Sequence, residues 1–213
     1  MGLFNRKMPY DRTEILRRAR EELRRSKYAR ALRLLERLIS REPNNPELHG
    51  LIAAPLAERG KCFDAWESYK IAARYQYSHN NKQAALALYI DATDRLPLIF
   101  DAWIARAELQ RELLRQAEAF KTLLKGRVAF KKRRYRPQAI SFLRRALELA
   151  PNSPKPTLDL ADLIFRSGQP DEALFILDRL AGNVQSGVNL KAIHRARWNI
   201  LPSISNTWRW IRA

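Results

Sequence analysis

The sequence has little cysteine and no long apolar run, and each absence excludes a class of protein. Cys62 is the only cysteine in 213 residues, so the chain can form neither an intramolecular disulfide framework nor a site of several thiolates. No stretch approaches the ~20 apolar residues that span a membrane, and residues 1–9 lack the apolar core of a signal peptide. We therefore expect a cytoplasmic protein.

Glycine and proline are also sparse, with 7 and 11 residues, and the segments between them are rich in Ala, Leu, Glu and Arg. These residues lose little conformational freedom in a helix. Apolar residues recur at spacings of three and four, as at Ile15, Ala19 and Leu23, which is typical of helices with one buried face. The pattern predicts an all-α fold with helices at residues 12–25, 28–39, 46–59, 62–77, 81–96, 100–113, 116–131, 135–150, 154–167, 170–181 and 187–199.

The predicted helices are joined by two to five residues, as antiparallel neighbours require. A single pair of such helices buries too little apolar surface to fold alone, so the pairs must stack on one another. Small, apolar and proline residues also return at set distances along the chain. The matching sets are Ser26, Tyr28, Ala31, Leu35, Leu38 and Pro43; Gly60, Cys62, Ala65, Tyr69 and Ala72; Ala85, Tyr89, Ala92 and Pro97; Trp103 and Ala107; Ala139, Leu143, Ala146 and Pro151; and Gly168, Ala173, Leu177 and Leu180.

This spacing resembles the tetratricopeptide repeat, a helix-turn-helix unit of 34 residues. The resemblance implies a right-handed superhelical solenoid of about five antiparallel hairpins over residues 12–199. A basic arm, residues 1–11, precedes it, and a tail rich in Trp and Arg, residues 200–213, follows. Gly60 and Gly168 are expected at turns with a positive φ. Between residues 66 and 133 the matches overlap, so either one helix serves two hairpins or a central repeat has degenerated.

The resemblance further implies a non-catalytic scaffold, here of bacterial type, that binds a peptide or protein in a groove lined by the first helix of each repeat. No cofactor, metal or small-molecule substrate is expected. The best-known groove chemistry of the family is a clamp of Lys, Asn and Arg for the carboxyl terminus of a chaperone. The corresponding positions here hold Leu16 and Arg20 in the first repeat, and Gly50 and Ala54 in the second, so we do not expect that partner.

Acidic residues are outnumbered, with 22 against 40 Lys and Arg, and the excess of positive charge is local. Residues 6–37 hold 12 basic and 5 acidic residues, and residues 121–145 hold 10 basic residues and no acid. A positive surface attracts acidic proteins, nucleic acids or anionic lipids. The residues predicted to contact the partner are Arg17, Arg20, Arg24 and Lys27 in the first segment, and Lys131, Lys132, Arg133, Arg134 and Arg136 in the second.

We predict that Arg20, Arg24, Lys131 and Lys132 face the groove and dock an acidic peptide or protein surface. Backbone-directed binding of RNA or DNA by the same residues is an alternative, and a structural role in a larger complex is another. Three aromatic residues near the second segment, Phe130, Tyr135 and Phe142, could stack on bases, but their spacing favours a place in the core.

Two further features are interpreted as structural. Cys62 takes a repeat position that is expected to pack within a hairpin rather than to act as a nucleophile. Trp208 and Trp210 are expected to cap the last repeat by covering its apolar edge. If the two rings were exposed instead, they would favour a membrane interface or the groove of a partner.

Overall fold

The computed structural model describes residues 10–183 and 188–202. Over these ranges the backbone is helical, with eleven α-helices, one short 3-10 helix at Arg133–Tyr135 and no strand. The α-helices are α1 (Arg12–Arg24), α2 (Tyr28–Ile39), α3 (Pro46–Glu58), α4 (Cys62–Ser78), α5 (Lys82–Arg95), α6 (Phe100–Glu112), α7 (Gln116–Ala129), α8 (Arg136–Leu149), α9 (Pro154–Phe165), α10 (Pro170–Asn183) and α11 (Val188–Ile200).

The ends of these helices lie within two residues of the predicted ends, because local side chains set them. Asp11 and Asn45 cap α1 and α3 by accepting hydrogen bonds from the first free amides of each helix. Proline is the first residue of α3, α9 and α10, where its missing amide costs no helical hydrogen bond.

The helices pack on their neighbours in sequence within two compact units, one ending at Arg106 and the other beginning at Ala107. In the first unit α1 to α5 pack in order, and in the second α7 to α11 do so; the boundary falls inside α6. The prediction of an all-α fold of stacked helix hairpins is confirmed. A single domain over residues 12–199 stays a prediction.

Five of the connections share a left-handed residue, which lies just after the end of a helix. In each, the amide of the following residue donates a hydrogen bond to the carbonyl five residues before it, the pattern of a Schellman turn. The residues with positive φ are Ser26, Gly60, Asn80, Leu114 and Gly168. The prediction for the two glycines is confirmed, whereas the sequence pattern missed the other three.

Each left-handed residue is followed five positions later by an alanine that is fully buried. These alanines are Ala31, Ala65, Ala85, Ala119 and Ala173. The turn therefore sets the rotation of the next helix so that a small side chain faces the preceding one, which lets the two backbones approach closely.

The turns fix the ends of two helices in the segment where the repeat matches overlap. Helix α4 begins after the turn at Gly60 and ends at the turn at Asn80, and it packs on both α3 and α5. Helix α7 begins after the turn at Leu114, packs on α8, and is joined to α6 by a 2.8 Å hydrogen bond from the Thr122 hydroxyl to the side-chain amide oxygen of Gln110. The two interpretations of this segment, one helix shared by two hairpins and a degenerate central repeat, both stay predictions.

Each unit has an apolar core along its stacked helices. Leu35, Leu48 and Tyr69 are buried in the first unit, and Leu143, Ile164, Leu177 and Ile193 in the second. Phe130 and Phe142 are also buried, so their predicted place in the core is confirmed. The prediction for Cys62 is wrong: this residue is exposed, because it begins α4 just beyond the Gly60 turn, where its side chain meets solvent.

Candidate functional site

Three of the predicted arginines lie together on α1. Arg17, Arg20 and Arg24 are spaced by three and four residues, which places them on one face of the helix. They line a groove of about 700 Å³ together with Leu16 and Leu23 of α1, Leu51 of α3, and Thr13. The α1 groove, as we name this surface, therefore has an apolar floor and a basic rim.

Most of the rim is already paired with carboxylates. Arg17 lies 2.8 Å from Glu14 and 3.5 Å from Glu21, and Arg20 pairs with Glu47. Hydrogen bonds from Arg17 and Arg18 hold the pKa of the Glu14 carboxyl at about 2, well below its ordinary value. Among the described residues these ion pairs leave Arg24 as the one rim cation without a carboxylate partner.

Lys27 does not line the α1 groove. It is the residue before α2, is exposed, and makes no ion pair within the described parts of the chain. Its side chain belongs to the turn that joins α1 and α2. Of the first predicted group, the structure therefore brings together Arg17, Arg20 and Arg24 and leaves Lys27 at the edge.

The second predicted group lies where the chain passes from α7 to α8. Together with Tyr135 we name it the basic turn: Lys131, Lys132, Arg133, Arg134, Tyr135 and Arg136, the last of which begins α8. The predicted place of Lys131 and Lys132 on a helix is wrong, whereas their facing the groove stays a prediction. Helix α7 ends at Ala129, and Lys132 has extended backbone with φ −70° and ψ 146°. Phe130, the residue that ends α7, is buried and packs its ring on Phe142.

An aromatic cluster anchors both ends of the basic turn. The Phe130 ring packs edge-to-face on Phe142, with centroids 5.4 Å apart, and on Tyr135 at 5.3 Å. The Arg134 guanidinium lies 4.6 Å from the centre of the Tyr135 ring, and Arg136 donates a hydrogen bond to the backbone carbonyl of Arg166 at the end of α9. The end of the basic turn is thus held by the contacts of Tyr135 with Phe130 and Arg134 and by the hydrogen bond of Arg136 to Arg166.

The α1 groove belongs to the first unit and the basic turn to the second.

Trp208 and Trp210 lie outside the described residues, as do residues 1–9 of the predicted basic arm. The last two residues of that arm belong to the fold, since Tyr10 packs against the first core with Arg41 3.8 Å above its ring, and Asp11 caps α1. At the other end, α11 extends to Ile200, the first residue of the predicted tail.

The sequence pattern missed the floor of the α1 groove and a second groove. Leu51 lies on α3, and no spacing of residues on α1 indicates that it reaches the same surface. The second groove, of about 470 Å³, lies among α8, α9 and α10, with Leu147, Ile176 and the exposed Phe175 in its lining. Phe175 falls outside the buried stripe of Ala173, Leu177 and Leu180, which is the one signal that could have indicated its exposure.

Residues 10–183 and 188–202 contain no cluster of metal-ligating side chains and no membrane-spanning helix. No three His, Cys, Asp or Glu side chains come together there as a metal site would need. No helix in these ranges combines the length and the apolar character that crossing a bilayer demands.

Comparisons with known protein families agree with the repeat pattern. Two family models described as tetratricopeptide repeat match the chain, one over residues 16–62 and the other over residues 136–194. No curated protein matches it. The first match includes the whole lining of the α1 groove except Thr13, and the second begins at the last residue of the basic turn.

Solved structures of low sequence identity also match. A tetratricopeptide repeat protein from Parabacteroides merdae is 16% identical, with 93% of this chain and 88% of that chain covered and a TM-score of 0.33. The Pseudomonas aeruginosa pilF protein is 16% identical, with 94% and 87% covered and a TM-score of 0.29. The protein TTC0263 from Thermus thermophilus is 20% identical, with 89% and 98% covered and a TM-score of 0.28. At these TM-scores nothing about a partner follows.

Proposed function

Because the chain belongs to the tetratricopeptide-repeat family, we propose that it is a non-catalytic scaffold that docks an acidic, partly apolar peptide in the α1 groove. Repeats of this family generally mediate protein–protein interaction. The observation that carries the proposal is the combination of floor and rim: Leu16, Leu23 and Leu51 beneath a row of three arginines.

The two parts of the groove have separate roles in binding. Leucine or phenylalanine side chains of the peptide bury apolar surface on the floor, which supplies affinity. Carboxylates of the peptide meet Arg24 directly and compete with Glu14 and Glu47 for Arg17 and Arg20. The charge therefore contributes orientation and a fast association rate more than affinity.

Nucleic-acid binding is not favoured at the α1 groove. Two of its three arginines already lie against carboxylates, so a phosphate backbone would meet acidic residues as well as basic ones. The apolar floor would also have nothing to bury, since a phosphate backbone is polar. These features support a peptide as the occupant.

Fluorescence anisotropy with synthetic peptides tests the proposal. The probes are labelled peptides in which Leu or Phe is interspersed with Asp and Glu, and matched peptides in which Lys replaces every acid. We expect the acidic set alone to contain binders. The double variant Arg20→Gln and Arg24→Gln should then weaken binding about ten-fold, since it removes two exposed arginines and an exposed ion pair is worth roughly 0.2–1 kcal/mol.

The double variant Arg33→Gln and Arg37→Gln is the matched control. Both residues lie exposed on α2, outside the α1 groove, and neither makes an ion pair within the described residues. This variant loses the same net charge and should bind as the unaltered protein does. Equal loss of binding in the two variants, or equal binding of the acidic and Lys peptides, would contradict the proposal.

A further inference from the structure

The basic turn carries five cations in six residues, and its four exposed cations have no carboxylate partner among the described residues. Lys131, Lys132, Arg133 and Arg134 are exposed. None of the four makes an ion pair with any residue in the described parts of the chain. The surrounding segment, residues 121–145, contains no acidic residue at all. This situation differs from the α1 groove, where carboxylates of the protein itself neutralise most of the rim.

Crowded like charges raise the free energy of a free surface, and the cost falls when an external anion binds. Helix α7 offsets part of the repulsion, because the carbonyl end of a helix favours nearby cations. That effect is confined to about one turn of the helix and is weakened by salt, so it offsets only part of the repulsion among the five cations. The basic turn therefore attracts anions from solution.

The loop is also held in place before any ligand arrives. Phe130 is 2% exposed and Phe142 is fully buried, and Tyr135 packs on the same cluster. Arg136 ties the other end of the loop to the carbonyl of Arg166. Since less backbone freedom has to be lost on binding, the free-energy cost of ordering the cations around a ligand is small.

The chemistry around the loop narrows the ligand. Several exposed cations in a row match a polymer with repeating negative charge better than a single phosphate group. Both phenylalanine rings are buried, and the partly buried Tyr135 ring already contacts Phe130 and Arg134, so the three rings offer little free surface to a base or a lipid. Unlike the α1 groove, the basic turn presents no leucine floor for a peptide. The ligand that fits best is therefore the charged phosphate backbone of a nucleic acid, bound without contacts that read its bases.

We propose that the basic turn binds the phosphodiester backbone of nucleic acid without regard to its base sequence. Arginine guanidinium groups form paired hydrogen bonds with phosphate oxygens, while the lysines act as point charges. Binding releases counterions, so the affinity falls steeply as salt is added. The proposal goes beyond the peptide groove and does not depend on it, since the two use different residues.

The test is fluorescence anisotropy of the full chain with labelled poly(U) RNA and labelled poly(dT) DNA over a series of salt concentrations. We expect binding to both polymers at low salt. In the triple variant Lys131→Gln, Lys132→Gln, Arg133→Gln the affinity should fall about ten-fold or more. The slope of log affinity against log salt should fall by about 2 in magnitude, because each contact to a single strand contributes about 0.7.

The matched control is the triple variant Arg30→Gln, Arg33→Gln, Arg37→Gln, which removes three exposed arginines of α2 that make no ion pair with another described residue. It has the same net charge as the first variant and should keep both the affinity and the salt slope. The pair Lys131→Arg and Lys132→Arg keeps the charge and should keep binding. If the first variant does not fold, the single variants Lys132→Gln and Arg133→Gln, both at exposed positions, should each weaken binding and lower the salt slope by about 0.7.

Three outcomes would overturn the proposal. The first is that the unaltered protein binds neither polymer at low salt. The second is that the two triple variants lose affinity equally, which would show a response to net charge alone. The third is that the protein floats with vesicles of phosphatidylcholine and phosphatidylserine but binds neither polymer, which would assign the basic turn to an anionic lipid surface instead. Loss of peptide binding at the α1 groove would not bear on any of these.

Discussion

Gly126 lies directly against the ring of Phe142. A Cβ atom built on Gly126 would be 2.7 Å from Cε1 and 2.8 Å from Cζ of that ring, closer than carbon atoms approach in folded proteins. Helix α7 can therefore pack this closely on α8 only because residue 126 has no side chain. The same ring supports Phe130, and through it the start of the basic turn.

The first prediction concerns this contact. Gly126→Ala should gain about 1 kcal/mol from helix propensity and lose about 1–3 kcal/mol from overpacking, for a net loss of about 1 kcal/mol. The measurement is the free energy of unfolding in urea. Gly182→Ala in α10 is the control, because nothing lies within 4 Å of its added Cβ, and it should gain about 0.5 kcal/mol. An unchanged or raised stability of Gly126→Ala would show that the Phe142 ring moves freely.

The second prediction concerns Leu114, which has φ +60° and an 87% exposed side chain. A left-handed conformation costs a residue with a Cβ about 1–2 kcal/mol, and this side chain regains nothing by burial. Leu114→Gly should therefore raise the free energy of unfolding by about 0.5–1 kcal/mol after the added entropy of the unfolded chain is subtracted. Leu114→Ala keeps the Cβ and should have little effect. Equal stability of the Gly and Ala variants would contradict the backbone explanation.

The third prediction concerns Tyr69, whose buried hydroxyl donates a hydrogen bond to Asp91. Arg95 binds the same carboxylate at 2.8 Å and reaches Glu58 at 2.6 Å. Tyr69→Phe removes one donor from this carboxylate and should cost about 1 kcal/mol at pH 7. Tyr75→Phe is the control, since its hydroxyl makes no hydrogen bond among the described residues.

The Tyr69 hydroxyl should also make the free energy of unfolding depend on pH. Burial, together with the hydrogen bond and negative charge of Asp91, raises the pKa of the Tyr69 hydroxyl above its ordinary value of about 10. Above pH 10 the unfolded chain loses this proton while the folded protein keeps it, so the stabilisation is present below pH 10 and is lost as the pH rises. The difference in unfolding free energy between the protein and Tyr69→Phe should therefore narrow above pH 10. A constant difference up to pH 11 would be inconsistent with a raised pKa.

The fourth prediction concerns the start of α1, beside the α1 groove. One carboxylate oxygen of Asp11 accepts hydrogen bonds from the amides of Thr13, at 2.9 Å, and Glu14, at 3.1 Å. Asp11→Ala should lower the unfolding free energy by about 1 kcal/mol and increase amide hydrogen exchange in the first turn of α1. Asp11→Asn keeps the acceptor and should lose only a few tenths of a kcal/mol. A loss as large in Asn as in Ala would point to the charge rather than the cap.

The helices and their ends could be predicted because the signals are local. Apolar spacing, capping side chains such as Asn45, and prolines at first positions act within a few residues of the structure they specify. The turns were only partly predictable: glycine indicates a positive φ at Gly60, but Ser26 and Leu114 adopt it without any such signal. Both turns have the same hydrogen bond and the same buried alanine five positions later as the turn at Gly60, and these are features of the folded structure that local preference does not contain.

The candidate site was predicted as a set of cations and not as a surface. The sequence pattern identified Arg20 and Arg24 but could not show that Arg20 is neutralised by Glu47, 27 residues away. It also extended α7 through Lys131, because the burial of Phe130 against Phe142 depends on how α8 packs. Contacts between distant residues settle both matters, and no spacing within one helix contains them.

By itself, the amino-acid sequence determined that this protein is a stack of antiparallel helices with two strongly basic segments, since periodicity and charge can be counted along the chain. Only the tertiary structure decided that the first segment becomes the rim of an apolar groove with its own carboxylates, and the second an anchored loop without them. The physical reason is that the free charge of a surface depends on which neighbours neutralise it, and packing brings those neighbours together.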